Sequence, residues 1–471
     1  MISQTFELLL AIFLSVFSNF IVFILCISIQ DSCQLEQDDE LFKDSTKFQC
    51  FMFPETNPVI FEGTRETFAQ KTTYIQARKE IRKHFNSTLP QEIAMSSSTP
   101  IYLYFLGRHT IRYPMDREMS VFMKILPQLK EMMLSSGKLK PKVAEELRNW
   151  QLLMHPSEAA RVTQSGKHET AIIARYFYSL FPQLLNVNTT AFEVNHTSLV
   201  RTKETSEAFV RSLAEVQSRN CSHTFEQSNN QAETFFSQIC SQMKVNDEVL
   251  LSHKREHRRK AQREEDALRE SSVIKAMVRQ FCERNGLVGE MASFENVETL
   301  RRIASYEMAH HRYSPFAYLF TIKELQVMEY LYDLSWYRVA YGHTDHKAGT
   351  IVTSDLCRKL HEVIKSPPSD GHTKATLYFS HDGLFKRLLG YFGLFKYFPP
   401  YQLRHNRLYI SKERQWRVSY LFPFGTNLCV VLFRCGGKHK LLTLYNEIPV
   451  TLEGMTSALT DLEDFLVHYN H

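Results

Sequence analysis

Apolar residues in this chain fall into runs of three kinds, and each kind predicts a different element. Residues 8–29 form one long run, broken only by Ser15, Ser18, Asn19 and Ser28. Residues 101–106 and 375–379 are short apolar and aromatic runs, the first enclosed by Pro100 and Gly107. Such a run between two breakers predicts a strand buried in a parallel sheet. The third kind repeats at helical spacing: residues 68–85, 119–134, 166–181, a long stretch over 202–303, 324–341, and one more helix before a loop at 366–371. Residues 428–433 and 440–445 read as strands around a Gly436-Gly437 hairpin turn. Strands interleaved with helices at both ends, and mostly helix between, predict an α/β sheet domain carrying a mainly α-helical insertion. The expected bounds are a leader at 1–30, sheet domain at 48–205, helical cap at 206–320 and sheet domain again at 321–471.

Composition narrows the class. With 471 residues, 44% hydrophobic and 23% charged, the chain can bury a core without needing disulfides. Only 16 Gly and 16 Pro exclude collagen-like and low-complexity chains. The leader ends in small residues, Cys26 and Ser28, that suit signal cleavage. Its flank carries Glu7 and no Lys or Arg, and the run is longer than the usual ~7–15 residues. An uncleaved membrane anchor at 8–29 is therefore the alternative to a signal peptide. Either way the expected location is the secretory pathway: secreted, in the ER lumen or on the extracellular face. Eight further cysteines and sequons at Asn86, Asn188, Asn195 and Asn220 point to the same disulfide-bonded, glycosylated class. A formal charge of +5, from 56 basic and 51 acidic residues, demands no nucleic acid but suits an anionic small molecule.

Chemistry concentrates where the two short strands end. The first delivers Gly107-Arg108-His109-Thr110-Ile111-Arg112-Tyr113-Pro114 and the second Ser380-His381-Asp382-Gly383. Parallel sheets bind ligands beyond their carboxyl ends, which would bring these segments together. Two arginines around a histidine suit a tetrahedral dianion, because guanidinium forks grip phosphate oxygens bidentately. A neutral imidazole between them can attack phosphorus, and Asp382 can protonate the departing oxygen. Rival patterns are weaker. His253, Glu256 and His257 match a zinc-protease spacing but sit among cations; His343, Asp345 and His346 fit a polar loop; His310 and His311 read as surface. Residues 252–270 read as a solvated charged helix, with a basic rim of Lys254, Arg255, Arg258, Arg259, Lys260 and Arg263 as the sharper alternative.

The segment Arg108–Pro114 resembles the RHGxRxP signature of the histidine acid phosphatases, and His381-Asp382 resembles their second motif. Further segments follow the multiple inositol polyphosphate phosphatase branch in order, among them Thr163-Gln164-Ser165-Gly166, Ser314-Pro315-Phe316, Gly390-Tyr391-Phe392 and Leu444-Tyr445-Asn446-Glu447. The likeness spans roughly residues 50–470 and is most interrupted between 219 and 302. It implies a phosphoglycerate-mutase-like sheet domain with helices on both faces. By the same resemblance His109 is the nucleophile, and Arg108, Arg112, Arg201 and His381 bind the phosphoryl group. Arg201 stands eight residues before Phe209, the spacing the family gives its third phosphate-binding arginine. Asp382 is the implied general acid, and no metal or cofactor is implied. The implied substrates are inositol hexakisphosphate, lower inositol phosphates and 2,3-bisphosphoglycerate. A broad-specificity acid phosphatase, or an impaired polyanion-binding homologue, is the alternative. Three departures stand out. Thr110 replaces a glycine and would crowd a phosphate; Gly383 stands where the branch carries a glutamate; and Ala304 and Ala317 replace cysteines.

Overall fold

The first apolar run lies inside a longer strand, β1 (Ser98–Arg108). Its side chains alternate between two cores: Tyr102, Tyr104 and Leu106 enter the larger one, Leu103 and Phe105 the smaller. A strand sandwiched between helical layers has no solvent face, so polar residues do not interrupt it. In the computed structural model the described residues are 71–84, 98–187, 190–217, 262–341, 347–365, 373–396 and 416–470, with a few isolated positions between. They all belong to one unit, Val59–His471.

On one side β1 pairs in parallel with β3 (Thr373–Ser380), which pairs in parallel with β2 (Thr190–His196). On the other side it pairs antiparallel with β4 (Asn427–Cys435), and β4 with β5 (Lys438–Tyr445). The sheet order is β2-β3-β1-β4-β5-β6, with β6 at Ile448–Pro449 and β7 (Leu459–Asp461) also paired to β5. The sheet is thus parallel across β2-β3-β1 and antiparallel from β1–β4 onward. The β1–β4 register slips between Pro100 and Tyr102, beside a proline that has no N–H to donate. Gly436 and Gly437 take φ values of +54° and +83°, the two left-handed positions a two-residue hairpin turn requires.

Helices cover both faces. Against the smaller core lie α4 (Gln164–Leu180) and α5 (Val200–Gln217), contributing Ile173, Ala174, Phe177, Phe209, Val210 and Leu213. The other helices are α1 (Tyr74–His84), α2 (Asp116–Ser135), α3 (Pro141–Asn149), α6 (Ser272–Asn285) and α7 (Phe294–His311). They continue with α8 (Ile322–Tyr341), α9 (Lys347–Lys365), α10 (Asp382–Tyr391), α11 (Val418–Leu421) and α12 (Leu462–Tyr469). The larger core draws on α2 and on α6 to α12. The expected stretch over 202–303 is therefore several helices. Each stop has a local cause: α6 ends at Gly286 in the left-handed region, and Ser293 caps α7.

Several sequence expectations need correction. Asn195 lies in β2 and is only 1% exposed, so its sequon offers no surface for a glycan in the folded chain. Cys282, Cys357 and Cys429 are buried free thiols, so the even cysteine count does not correspond to four disulfides. His310 is buried rather than on the surface, while His311 is exposed. Ala304 and Ala317 both pack into the larger core. The leader, Cys33, Cys50, Cys221, Cys240 and the sequons at Asn86, Asn188 and Asn220 lie outside the described residues. So do His253–His257, His343–His346 and the basic rim apart from Arg259 and Arg263. Among the described residues no helix is long and apolar enough to cross a membrane.

Two buried carboxyls give the fold a testable pH signature. Glu169 accepts the amides of Tyr74 and Ile75 at 3.1 and 3.2 Å. Glu307 accepts Trp150 Nε1 at 2.6 Å and Ser314 Oγ at 2.5 Å. Burial nevertheless pushes each up to about 7. A carboxyl raised on folding binds more protons in the native state, so its stabilising contribution is present at acid pH and lost as pH rises toward 7. The buried histidines, held neutral, act in the opposite sense. The double variant Glu169→Gln/Glu307→Gln should therefore gain stability relative to the parent between pH 5 and 7.5, read as the difference between denaturant midpoints. A difference that does not change with pH would contradict this.

Candidate active site

β1 and β3 end in register, with Arg108 opposite Ser380. His109 donates its amide to Ser380 O at 3.1 Å, and the rings of His109 and His381 lie 5.6 Å apart. β2 ends beside them, and Thr197 just beyond it places Oγ1 3.0 Å from His381 Nε2. Three parallel strands thus open on one edge, where open α/β sheets place their sites. Asp382 opens α10, where the positive helix end favours a carboxylate. The segment before β4 closes the opposite side. Arg108 donates its amide to Thr426 O at 2.7 Å, and Gly425 donates to His109 O at 3.2 Å. Arg108 Nη1 reaches Phe422 O and Pro423 O, both at 2.7 Å, and Nη2 is 3.7 Å from Asp382 Oδ2. This arginine is buried and fixed at both ends.

His109 is held as a neutral imidazole. Its Nδ1 lies 3.0 Å from Thr110 O. A carbonyl only accepts, so the hydrogen bond assigns the proton to Nδ1 and the lone pair to Nε2. Burial, followed by Arg108 and Arg112, holds the imidazole well below its usual range. Acid therefore does not protonate it near pH 6.5. Thr110 does not crowd the site as the sequence suggested. Its side chain is fully buried, with Oγ1 paired to Thr170 Oγ1 on α4 at 2.9 Å. The close approach of α4 to this loop depends on Gly166, where a Cβ would stand 2.2 Å from Ile111 O.

The cations gather around the same point. Arg112 donates to Tyr113 O at 2.7 Å and to Tyr306 Oη at 3.1 Å. Arg201 lies in the first turn of α5; burial and then Arg112 lower it to about 10. Burial and then Arg201 bring His381 down to about 3. These mutual effects place Arg108, Arg112, Arg201 and His381 within electrostatic reach of one another. The Nε atoms of Arg112 and Arg201, and Nδ1 of His381, are buried with no hydrogen-bond partner among the described residues. An unsatisfied buried donor costs ~1–3 kcal/mol, and a multivalent oxyanion can satisfy several together. Burial raises the Asp382 carboxyl, but Arg108, Lys386 and Lys71 outweigh it and hold the group at about 2. All six residues singled out from the sequence therefore belong to one cluster.

Sequence reasoning missed several neighbours. Lys71, just before α1, bonds to Tyr306 Oη and lies 4.0 Å from Glu118 Oε1. Burial and then Arg112 lower its ammonium. Tyr306 donates to Glu118 Oε2 at 2.8 Å. Burial pushes Glu118 up, but Lys71 and Arg112 hold it at about 2. Phe424 lies beneath the Arg108 guanidinium, 4.9 Å from the ring centroid. His310, expected on the surface, supports Arg112 from behind, with Nε2 3.0 Å from Arg112 O. No local pattern in the sequence marks Lys71, and Tyr306 and Glu118 look like ordinary helix residues.

Residues 102–447 match the family described as the histidine phosphatase superfamily (branch 2). Multiple inositol polyphosphate phosphatase 1 of Gallus gallus is 22% identical over 434 residues, covering 89% of this chain and 92% of its own. Among solved structures, the phytase from D. castellii aligns with a TM-score of 0.64 and 16% identity, covering 90% of this chain and 89% of that one. The Bifidobacterium longum multiple inositol polyphosphate phosphatase, in complex with inositol hexasulfate, aligns with a TM-score of 0.55 and 13% identity. It covers 85% of this chain and 96% of its own. These structural likenesses show a shared fold.

Proposed function

The chain belongs to the histidine phosphatase superfamily (branch 2), and from that premise we propose that it removes phosphates from inositol polyphosphates. Inositol hexakisphosphate and its lower esters are the substrates, with 2,3-bisphosphoglycerate as a further one. The observation that carries this reading is the ring of Arg108, Arg112, Arg201 and His381 around a neutral His109 whose Nε2 keeps its lone pair. The names of the relatives support the substrate class. The apolar run at 8–29 supports a secretory-pathway location.

In the proposed reaction His109 Nε2 attacks phosphorus, and the bond from phosphorus to the ester oxygen breaks. Asp382 gives its proton to that oxygen as the alcohol leaves. Water then attacks the phosphohistidine, Asp382 takes its proton back, and the N–P bond breaks to release phosphate. The arginines and His381 stabilise the charge that redistributes over the equatorial oxygens. The imidazole is already neutral and its second nitrogen is tethered, so the nucleophile needs no base.

Comparing kcat/KM for inositol hexakisphosphate, 2,3-bisphosphoglycerate and p-nitrophenyl phosphate tests this reading. A clear preference for the inositol ester is expected; equal values would indicate a broad-specificity acid phosphatase. Arg201→Ala should lower kcat/KM by ~100-fold, about 2.7 kcal/mol of transition-state stabilisation, with the fold retained. A change under about threefold would remove Arg201 from the phosphoryl site.

A further inference from the structure

The mouth of the site on the α10 side carries more positive charge than its single carboxylate balances. Lys386 stands one helical turn after Asp382, so the two share a helix face. The residue is half-buried, and its ammonium sits 3.3 Å from the centroid of the Trp336 ring. Among the described residues it has no hydrogen-bond acceptor. Trp336 in turn packs on Phe422, at 4.9 Å between ring centroids, and Phe422 O holds Arg108. The lysine's platform is therefore part of the same wall as the phosphate-binding arginine. Arg387 reaches back to Gly383 O at 2.6 Å. Among the described residues, the glycine's own chain neighbours and helix backbone aside, Arg387 Nη1 is the one heavy atom within 4 Å of a Cβ placed at Gly383, at 3.6 Å. Among the described residues, the side chain beside Gly383 is therefore a guanidinium.

A lysine stem that merely covered a tryptophan would leave the ammonium without an acceptor among the described residues. A ring face satisfies a cation less well than water or an oxyanion does. Burial brings Lys386 down to about 8, with Asp382 opposing that shift, so the ammonium is short of solvation while facing the reactive carboxylate.

We propose that Lys386, seated on Trp336 beside Asp382, is a subsite for a second phosphate of the substrate, the one vicinal to the ester being cleaved. This deepens the inositol-polyphosphate reading and rests on it. A monophosphate has no group to place there, whereas a vicinal bisphosphate presents a second dianion next to the scissile ester. That dianion also counters the cations that keep Asp382 ionised, raising the carboxyl toward the protonated form a general acid needs.

The test is calorimetric binding to the full chain, with inositol hexakisphosphate and inorganic phosphate as separate probes. Lys386→Met keeps the stem over Trp336 and removes the charge. It should weaken hexakisphosphate binding by ~10-fold, the scale of one lost charge-assisted contact, and by at least about fivefold more than phosphate binding. Lys386→Arg should recover most of the loss; if Lys386→Met does not fold, Lys386→Gln replaces it. Equal weakening for both probes, or none for either, overturns the subsite. So does a parent protein that binds hexakisphosphate no more tightly than phosphate. Because binding is measured, a parent that binds hexakisphosphate with the predicted lysine dependence yet turns over nothing would refute the proposed activity and leave the subsite standing.

Discussion

His109→Ala is expected to abolish turnover of every phosphomonoester the protein accepts, with kcat falling on the order of 10⁴-fold or more. His109 Nε2 is the lone pair placed among Arg108, Arg112, Arg201 and His381, and Nδ1 is tied to Thr110 O. The imidazole of His381 cannot substitute readily, because its Nε2 already meets Thr197 Oγ1. The fold should survive, since the backbone bonds of His109 to Ser380 O and from Gly425 N remain. Steady-state kinetics beside circular dichroism checks both halves. A folded variant that loses less than about tenfold would mean that phosphorus is attacked by another group.

Asp382→Asn should nearly abolish turnover of inositol phosphates while sparing much of the activity on p-nitrophenyl phosphate. A general acid matters most for poor leaving groups: an inositol alkoxide needs a proton to depart and p-nitrophenolate hardly does. The structure adds a condition. In the free protein Arg108, Lys386 and Lys71 overcome burial and keep Asp382 ionised down to about pH 2, so in the proposed reaction it serves as an acid only when substrate phosphates raise it. Activity on inositol phosphates should therefore fall as pH rises through that raised value. The loss should not appear on the acid side near pH 6.5, because His109 stays neutral there. In Asp382→Asn the fall with rising pH should disappear from the residual activity. Equal losses on both substrates would assign Asp382 to positioning the phosphoryl group instead.

The sequence exposed the parts of the site that are local. Arg108-His109 and His381-Asp382 each follow a short buried strand, and two runs with no solvent face leave little choice about where their carboxyl ends lie. Thr197 was not legible, because β2 carries Glu193, Asn195 and His196 and does not read as a buried run. The place of Arg201 in the cluster was accessible only by family spacing, since nothing in a first helical turn marks an arginine as part of a site. Lys71 and Tyr306 are 235 residues apart in sequence, and no periodicity connects them. Thr110 was misjudged for the same reason. Its partner Thr170 is 60 residues away on α4, and that hydroxyl pair turns a crowding side chain into a buried one. His310 was misread because two histidines ending a helix look solvated, although one of them lies under the Arg112 carbonyl.

The measurement closest to the central claim is rapid quenching of the full-length protein during turnover of radiolabelled phosphomonoester, followed by mapping of the labelled peptide. The account predicts an acid-labile, base-stable phosphoryl adduct on His109 that forms within one turnover and is missing from His109→Ala. Label on a serine, cysteine or other histidine, or no phosphate released from any ester between acid and neutral pH, would contradict it.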